Sequence, residues 1–283
     1  MGTWDGEPLK ENKKTFGVTQ VKKWWVVRSQ KEKTGMIVAA AVMALVLMWL
    51  FLENHDNLFV AAEAIHFLGI GWLLYKLSTE KSCAGLSLRT QDITVMFLAV
   101  RLYCSFAMEY DVHTILDLMT LVASIWVEYM MRTKLKATYN EEMDTIPLLH
   151  IVAPAAILAC IAHPATNHFI LHRVFWAFCV YLESVSVLPQ LRMMQKNQVV
   201  ERFTANYIFS LGIARFLSCA HWILQIMNGD SYFLSAIGSS GLWPLMVLVS
   251  EIVQTFILSD FCYYYIKSFA EGGSFVRIPA GIV

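Results

Sequence analysis

Eight runs of mostly apolar residues punctuate this chain, at about 36–53, 58–77, 92–108, 114–131, 147–163, 173–188, 204–226 and 239–266. Each approaches the roughly 20 residues that a helix needs to cross a bilayer. In hydrocarbon every backbone N–H and C=O must be satisfied within its own segment, so runs of this kind have helices as their natural fold. With 57% hydrophobic and 16% charged residues over 283 positions, the composition fits a polytopic membrane protein and excludes an ordinary soluble globule. An all-α protein with eight transmembrane helices is therefore expected.

Orientation follows from lysine and arginine. If residues 1–35 are cytosolic, 19 of the 22 Lys and Arg fall on or at the edge of the cytosolic side, as the positive-inside rule requires. Both termini are then cytosolic. The basic segment 1–35 and the run 36–53 read as an uncleaved anchor, because the leader is long and charged and no small-residue cleavage site follows. Lys22, Lys23, Trp24, Trp25 and Arg28 suit lipid headgroups, although a solvated tail is an equal reading. The six cysteines form no CxxC pair, so neither a disulfide framework nor a zinc site is indicated. His163, His168 and His172 share a short loop at no usual ligand spacing, and solvent-exposed histidines are the preferred reading. No phosphate loop, nucleophile elbow or HExxH is present, so neither an enzyme, a cofactor nor a nucleic-acid partner is expected.

Two arginines break the apolar pattern. Arg101 and Arg215 each close a thirteen-residue segment, RTQDITVMFLAVR at 89–101 and FTANYIFSLGIAR at 203–215, and the two align in register. Each has a threonine eleven residues before the arginine, and Asp92 answers Asn206. A guanidinium inside a bilayer costs several kcal/mol, so two at equivalent places in a duplicated helix suggest a buried anion site. At about 1.5 Å per residue from the non-cytosolic end, His66, Arg101, Glu183 and Arg215 lie roughly 12, 10, 15 and 16 Å deep. Such residues must face one another or a water-filled cavity. Two arginines against one carboxylate leave a net positive site, and protonating His66 near the ordinary imidazole value of about 6.5 would strengthen anion binding as pH falls. The plainer reading is a structural ion pair between Glu183 and one arginine, with His66 bonded to a carbonyl.

The duplication also bears on the fold. The second to fourth and sixth to eighth spans would form two parallel three-helix repeats joined by the fifth, and such repeats place sites at their interface near mid-membrane. Pro189-Gln190, at the cytosolic end of the sixth span, is similar to the signature of PQ-loop and SWEET-type proteins.

Longer strings carry a second resemblance. KSCAGLSLRTQ at 81–91, LKATYNEEMDT at 135–145, YLESVSVLPQL at 181–191, NYIFSLGIAR at 206–215, VQTFILSDFCYYYIK at 253–267 and IPA at 278–280 resemble the KDEL receptor family, in order, over some four fifths of the chain. This resemblance implies a seven-helix domain at 57–267, preceded by an extra transmembrane helix at 36–53 and followed by a cytosolic tail at 268–283. The extended N-terminus is similar to that of a branch found in plants. The family implies a receptor that captures the C-terminal KDEL or HDEL tetrapeptide of escaped ER proteins in the acidic Golgi and releases them in the ER. By position, Arg101 and Arg215 match arginines that hold the peptide's carboxylates, Glu183 the pocket glutamate, His66 the proton sensor, Trp222 a pocket aromatic, and Asp260 an aspartate tied to retrograde movement.

The sequence departs from this pattern. No basic residue stands around Phe59 and Val60, and Gln225 replaces an arginine, so two contacts to acidic peptide side chains are missing. Leu102, Ala214 and Ser218 stand where the family has tyrosine, His221 where it has asparagine, and Cys104 where it has aspartate. Losing two or three charge-assisted bonds, at roughly 1.5 to 3 kcal/mol each, would weaken KDEL binding by orders of magnitude. The tail offers only Lys267 and Arg277 in place of the lysine cluster that recruits the COPI coat. A pH-dependent retention-signal receptor is thus the first expectation. The alternatives are a SWEET-like transporter of a small solute and a trafficking partner that binds no peptide.

Overall fold

The computed structural model describes residues 56–108, 112–227, 242–271 and 275–278. The chain divides into two units, Met1–Leu52 and Glu53–Val283. The basic segment 1–35, the helix expected at 36–53, the Gln225 side chain and the final residues of the IPA string lie outside the described residues.

The apolar runs fold as helices: α1 (Asp56–Thr79), α2 (Leu88–Met108), α3 (Val112–Tyr129), α4 (Leu149–Ile161), α5 (Ile170–Val185), α6 (Leu188–Asn197), α7 (Arg202–Met227) and α8 (Trp243–Ala270). A π turn, Met130–Lys134, prolongs α3. Among the described residues, six segments are long and apolar enough to cross a membrane, with α5 and α6 counting together as Ile170–Asn197. α4 is shorter and carries Pro154 inside it. Most spans overrun the apolar runs by one to four residues at one end or both, whereas α4 falls two residues short of 147–163 at each end. The sixth run was expected to stop at 188; instead the helix breaks at Ser186 and Val187 and resumes as α6, with Pro189 in its first turn where a missing N–H costs nothing.

Side-chain hydrogen bonds fix the ends of these helices on the side carrying the basic loops. Ser87 Oγ accepts the Thr90 N–H at 3.1 Å, capping α2. Asp144 accepts from the Ser87 hydroxyl at 2.9 Å, the Arg89 N–H at 3.1 Å and the Tyr139 hydroxyl at 2.8 Å, which places a carboxylate at the positive end of the helix. Burial, and then the bond to Asp144, push the Tyr139 phenol up, so it stays a donor. Gln190 joins three segments. Its Oε1 accepts from Ser87 N at 2.7 Å, its Nε2 donates to Gly85 O at 2.8 Å, and its backbone N–H donates to Thr90 Oγ1 at 3.0 Å. Lys76, 1% exposed, donates to Thr204 Oγ1 at 2.9 Å and Ala84 O at 3.1 Å and pairs with Glu201 at 2.5 Å.

Two three-residue strands, β1 (Val199–Glu201) and β2 (Phe275–Arg277), pair antiparallel with Val200 opposite Val276, and both of these side chains are buried. Part of the segment 268–283, expected as a cytosolic tail, is therefore pinned to the α6–α7 connection. α1 packs on α7 and α3, α2 on α3 and α5, and α8 on α7 and α5.

Close packing of α7 on α8 depends on Gly212, where an added Cβ would overlap Cys262 Sγ. Gly212→Ala is expected to destabilise the protein by about 1–3 kcal/mol through overpacking. Thermal unfolding of the detergent-solubilised protein would show this loss, and Gly212→Ala with Cys262→Ala should recover most of it.

Candidate functional site

The four ionisable residues singled out by depth sit on four different helices and meet. Arg101 on α2 is 8% exposed. Its Nη1 donates to both Glu183 oxygens at 3.1 and 2.9 Å. Arg215 on α7 donates through Nη2 to Glu183 Oε1 at 2.5 Å. Glu183 on α5 is thus shared by both arginines, which come from the matched ends of the repeated segments. His66 on α1 lines one narrow cavity with Thr94, Glu183, Tyr207, Arg215 and Gln254, a space just wide enough for a water molecule. The Phe97 ring links the parts. It stacks on the His66 ring at 6.4 Å between centroids, and the Arg101 guanidinium lies 5.6 Å from its centre, within cation–π range.

The net positive site expected from the sequence is absent. Asp117, 2% exposed on α3, grips the other edge of Arg101, accepting from Nε at 2.8 Å and from Nη2 at 2.5 Å. That fork matches the planar guanidinium bidentately, so Arg101 is held between two carboxylates. Glu251 on α8 is 6% exposed and adds a third buried acid. Among the described residues its Oε2 and Gln254 Oε1 have no hydrogen-bond partner, and the Ser218 hydroxyl lies beside Glu251. Counting arginines alone missed these acids. The rule that drew attention to Arg101, a charge inside an apolar run, applies equally to Asp117 in HTILDLM and Glu251 in VSEIV.

About one turn before His66 on α1, Glu63 pairs with His113 Nδ1 at 2.7 Å. Phe59 lies against the His113 ring at 5.1 Å and the His221 ring at 5.6 Å, and His221 against Trp222 at 5.7 Å. Trp222 is half-buried and stands two turns beyond Arg215 on α7, roughly 10 Å along the axis. It belongs to this aromatic group and not to the arginine cluster. Where the sequence lacks a basic residue, around Phe59, the structure has aromatic and imidazole rings. Asp260 on α8 is half-buried, five residues past Thr255, whose hydroxyl reaches Arg215 O at 3.4 Å. It lies on the basic-loop side of the arginines, apart from both groups. Among the described residues no cluster of three or more His, Cys, Asp or Glu could hold a metal ion.

Apolar helices converging on a buried, mutually paired set of arginines and carboxylates define a polytopic membrane protein organised around a polar centre. Comparison with known sequences narrows the class. Residues 82–225 match the model of the ER lumen protein retaining receptor family. The chain is 32% identical over 222 residues to the ER lumen protein-retaining receptor of Entamoeba histolytica, covering 78% of this chain and 98% of the relative. It is 35% identical over 214 residues to the erd-2.1 receptor of Caenorhabditis elegans (74% and 93%) and 30% identical over 225 residues to receptor A of Arabidopsis thaliana (78% and 97%). The chain belongs to the ER lumen protein-retaining receptor family.

Proposed function

We propose that this protein is a receptor for the C-terminal retention signals of lumenal ER proteins, resident in ER and Golgi membranes and serving Golgi-to-ER retrieval. The observation that carries this reading is the convergence of Arg101 and Arg215 on Glu183 beside His66. A peptide's terminal carboxylate is chemically like the Glu183 side chain and would take its place between the guanidiniums. His66 faces Glu183 and Arg215 across the cavity. A proton on His66 adds attraction for that second carboxylate, so proton and peptide each strengthen the other's binding. Trp222, two turns nearer the lumenal end, would pack against the peptide. Asp260 stands apart from the pocket, as suits a role in movement of the loaded receptor.

The proposed architecture is two parallel three-helix repeats, α1–α3 and α5–α8 with α4 between them, plus the extra N-terminal helix, making eight spans with both termini cytosolic. Several contacts support the repeat. In each unit the third helix packs against the first, and α3 and α8 also touch α2 and α7, while the pairings α1 with α7 and α2 with α5 cross between units. The bonds of Lys76 to Thr204 and of Gln190 to Thr90 tie the first helix of each unit to the second of the other. Asp92 bonds Arg132 and Asn206 bonds Tyr265, joining second helix to third in both. With only Lys267 and Arg277 in its tail, the protein would meet COPI through some other basic surface, and the basic segment 1–35 suits coat or anionic lipids.

Internal pairing of both arginines and a cavity the size of one water favour a second reading, a diverged member with a trafficking role and no peptide. One experiment separates them. Labelled HDEL-ended peptide and its amidated control are titrated against the purified protein at pH 5.5 and 7.2, with Arg101→Ala and His66→Ala alongside. Tight binding at pH 5.5, weaker at 7.2, lost on amidation and in both variants, is the expected result. Binding at neither pH selects the second reading, and solute flux in proteoliposomes would select a SWEET-like transporter.

A further inference from the structure

Two acceptor atoms beside the arginines, Glu251 Oε2 and Gln254 Oε1, find no donor among the described residues, and the Ser218 hydroxyl lies beside Glu251; Glu251, Gln254 and Ser218 are 6%, 2% and 2% exposed. Buried acceptors of this kind are costly, most of all a carboxylate oxygen in a membrane interior. Glu251 and Gln254 are three residues apart on one face of α8, and Ser218 lies on α7, which packs against α8. Gln254 also lines the cavity that holds Arg215 and Glu183, so the three side chains adjoin the carboxylate site.

Their height fixes what they would meet. The Thr255 hydroxyl bonds Arg215 O, which sets the two helices level there. Glu251 is four residues before Thr255 and Ser218 three after Arg215. These steps, roughly 6 and 4.5 Å, run toward the same end because the helices are antiparallel. An extended peptide advances about 3.3–3.6 Å per residue. With its terminal carboxylate at the arginines, the side chain one or two residues before the terminus therefore reaches Glu251.

We propose that Glu251, Ser218 and Gln254 form a subsite for a cationic side chain, a lysine, at the penultimate or third-last position of the peptide. An ammonium has three N–H donors and no acceptor, which suits the two buried acceptors without a donor and the hydroxyl oxygen beside them. A carboxylate at the same place would be driven against an unpaired buried carboxylate. The chain thus reads a basic residue where the HDEL signal has Glu and Asp. This assignment rests on the arginine pair holding the terminal carboxylate.

The test uses the full-length protein in detergent and four labelled peptides: HDEL, HDKL, HKEL, and an amidated copy of whichever binds best. Wild type is expected to bind HDKL or HKEL roughly 10-fold or more tightly than HDEL, the scale of one charge-assisted hydrogen bond. Glu251→Gln, which keeps the shape and removes the charge, should erase that preference without weakening HDEL, and Glu251→Asp should retain part of it. Size-exclusion profiles confirm that the variants fold. HDEL binding as tight as that of both lysine peptides, or a lysine preference that survives Glu251→Gln, overturns the subsite while leaving the carboxylate reading intact. Binding of the lysine peptide that survives amidation and still depends on Glu251 supports the subsite and overturns the carboxylate reading instead. No binding of any of the four overturns both.

Discussion

Arg101→Ala is expected to lower peptide affinity by at least about 100-fold and to destabilise the protein by roughly 3–5 kcal/mol, the range for removing one partner of a buried ion pair. The substitution strips Asp117 of both its arginine bonds and Glu183 of two. Asp117 is 2% exposed and its side chain is deep in the helix bundle, so water cannot readily replace the guanidinium. Thermal unfolding and peptide titration separate the two effects. Arg101→Lys keeps the charge but cannot present a fork to Asp117 while reaching Glu183. It should recover part of the stability and little of the binding. Wild-type affinity in Arg101→Lys would show that position 101 acts only as a point charge.

Lys76→Met is expected to cost about 2–3 kcal/mol, measured as a fall in the unfolding temperature with little change in the arginine cluster. Methionine fills much of the same space, but Ala84 O, Thr204 Oγ1 and Glu201 lose a charged donor. The cost is set below that of Arg101→Ala because the Glu201 side chain is 35% exposed, and water compensates in part. Pairing Lys76→Met with Glu201→Gln should restore some stability by removing the stranded carboxylate. Acid dependence follows as well. Burial pushes the Glu201 carboxyl up, but hydrogen bonds with Glu80 and Lys76 outweigh it and hold the group below its usual range. Its contribution is therefore present above the ordinary carboxylate range and lost as pH falls through the lowered value. Glu80, raised first by its bond with Glu201, contributes in the opposite sense, with stability present at low pH and lost as pH rises.

The spans were legible because hydrocarbon leaves a long apolar run few alternatives to a helix, and α1–α3, α7 and α8 fall close to where the runs lie. The break between α5 and α6 was less so. Pro189 marks a boundary but not on which side the helix resumes, and the answer depends on Gln190 bonding three partners about 100 residues away in sequence. Strands as short as β1 and β2 have no periodicity to detect. At the site, Arg101, Arg215, Glu183 and His66 were legible from depth alone. Asp117 was open to the same rule as a charge inside an apolar run, but its partner was not legible, since nothing in HTILDLM says that its face of α3 turns toward Arg101. Trp222 was placed by resemblance as a pocket aromatic, and the structure puts it two turns along α7 from Arg215, against the His221 ring.

Glu183 lies between two arginines that reach it from separate halves of the chain, so the three charges have one joint energy and not two independent ones. Loss of either arginine leaves the carboxylate half-compensated, and only loss of all three charges together with Asp117, which Arg101 also holds, leaves nothing stranded. For a drifting lineage this makes the triad a ratchet. Single steps away from it pass through a damaged protein, and only a near-simultaneous exchange, or prior neutralisation of Glu183, opens a path. The pocket around it, where Leu102, Ala214 and Ser218 carry no charge to strand, is free to change one residue at a time.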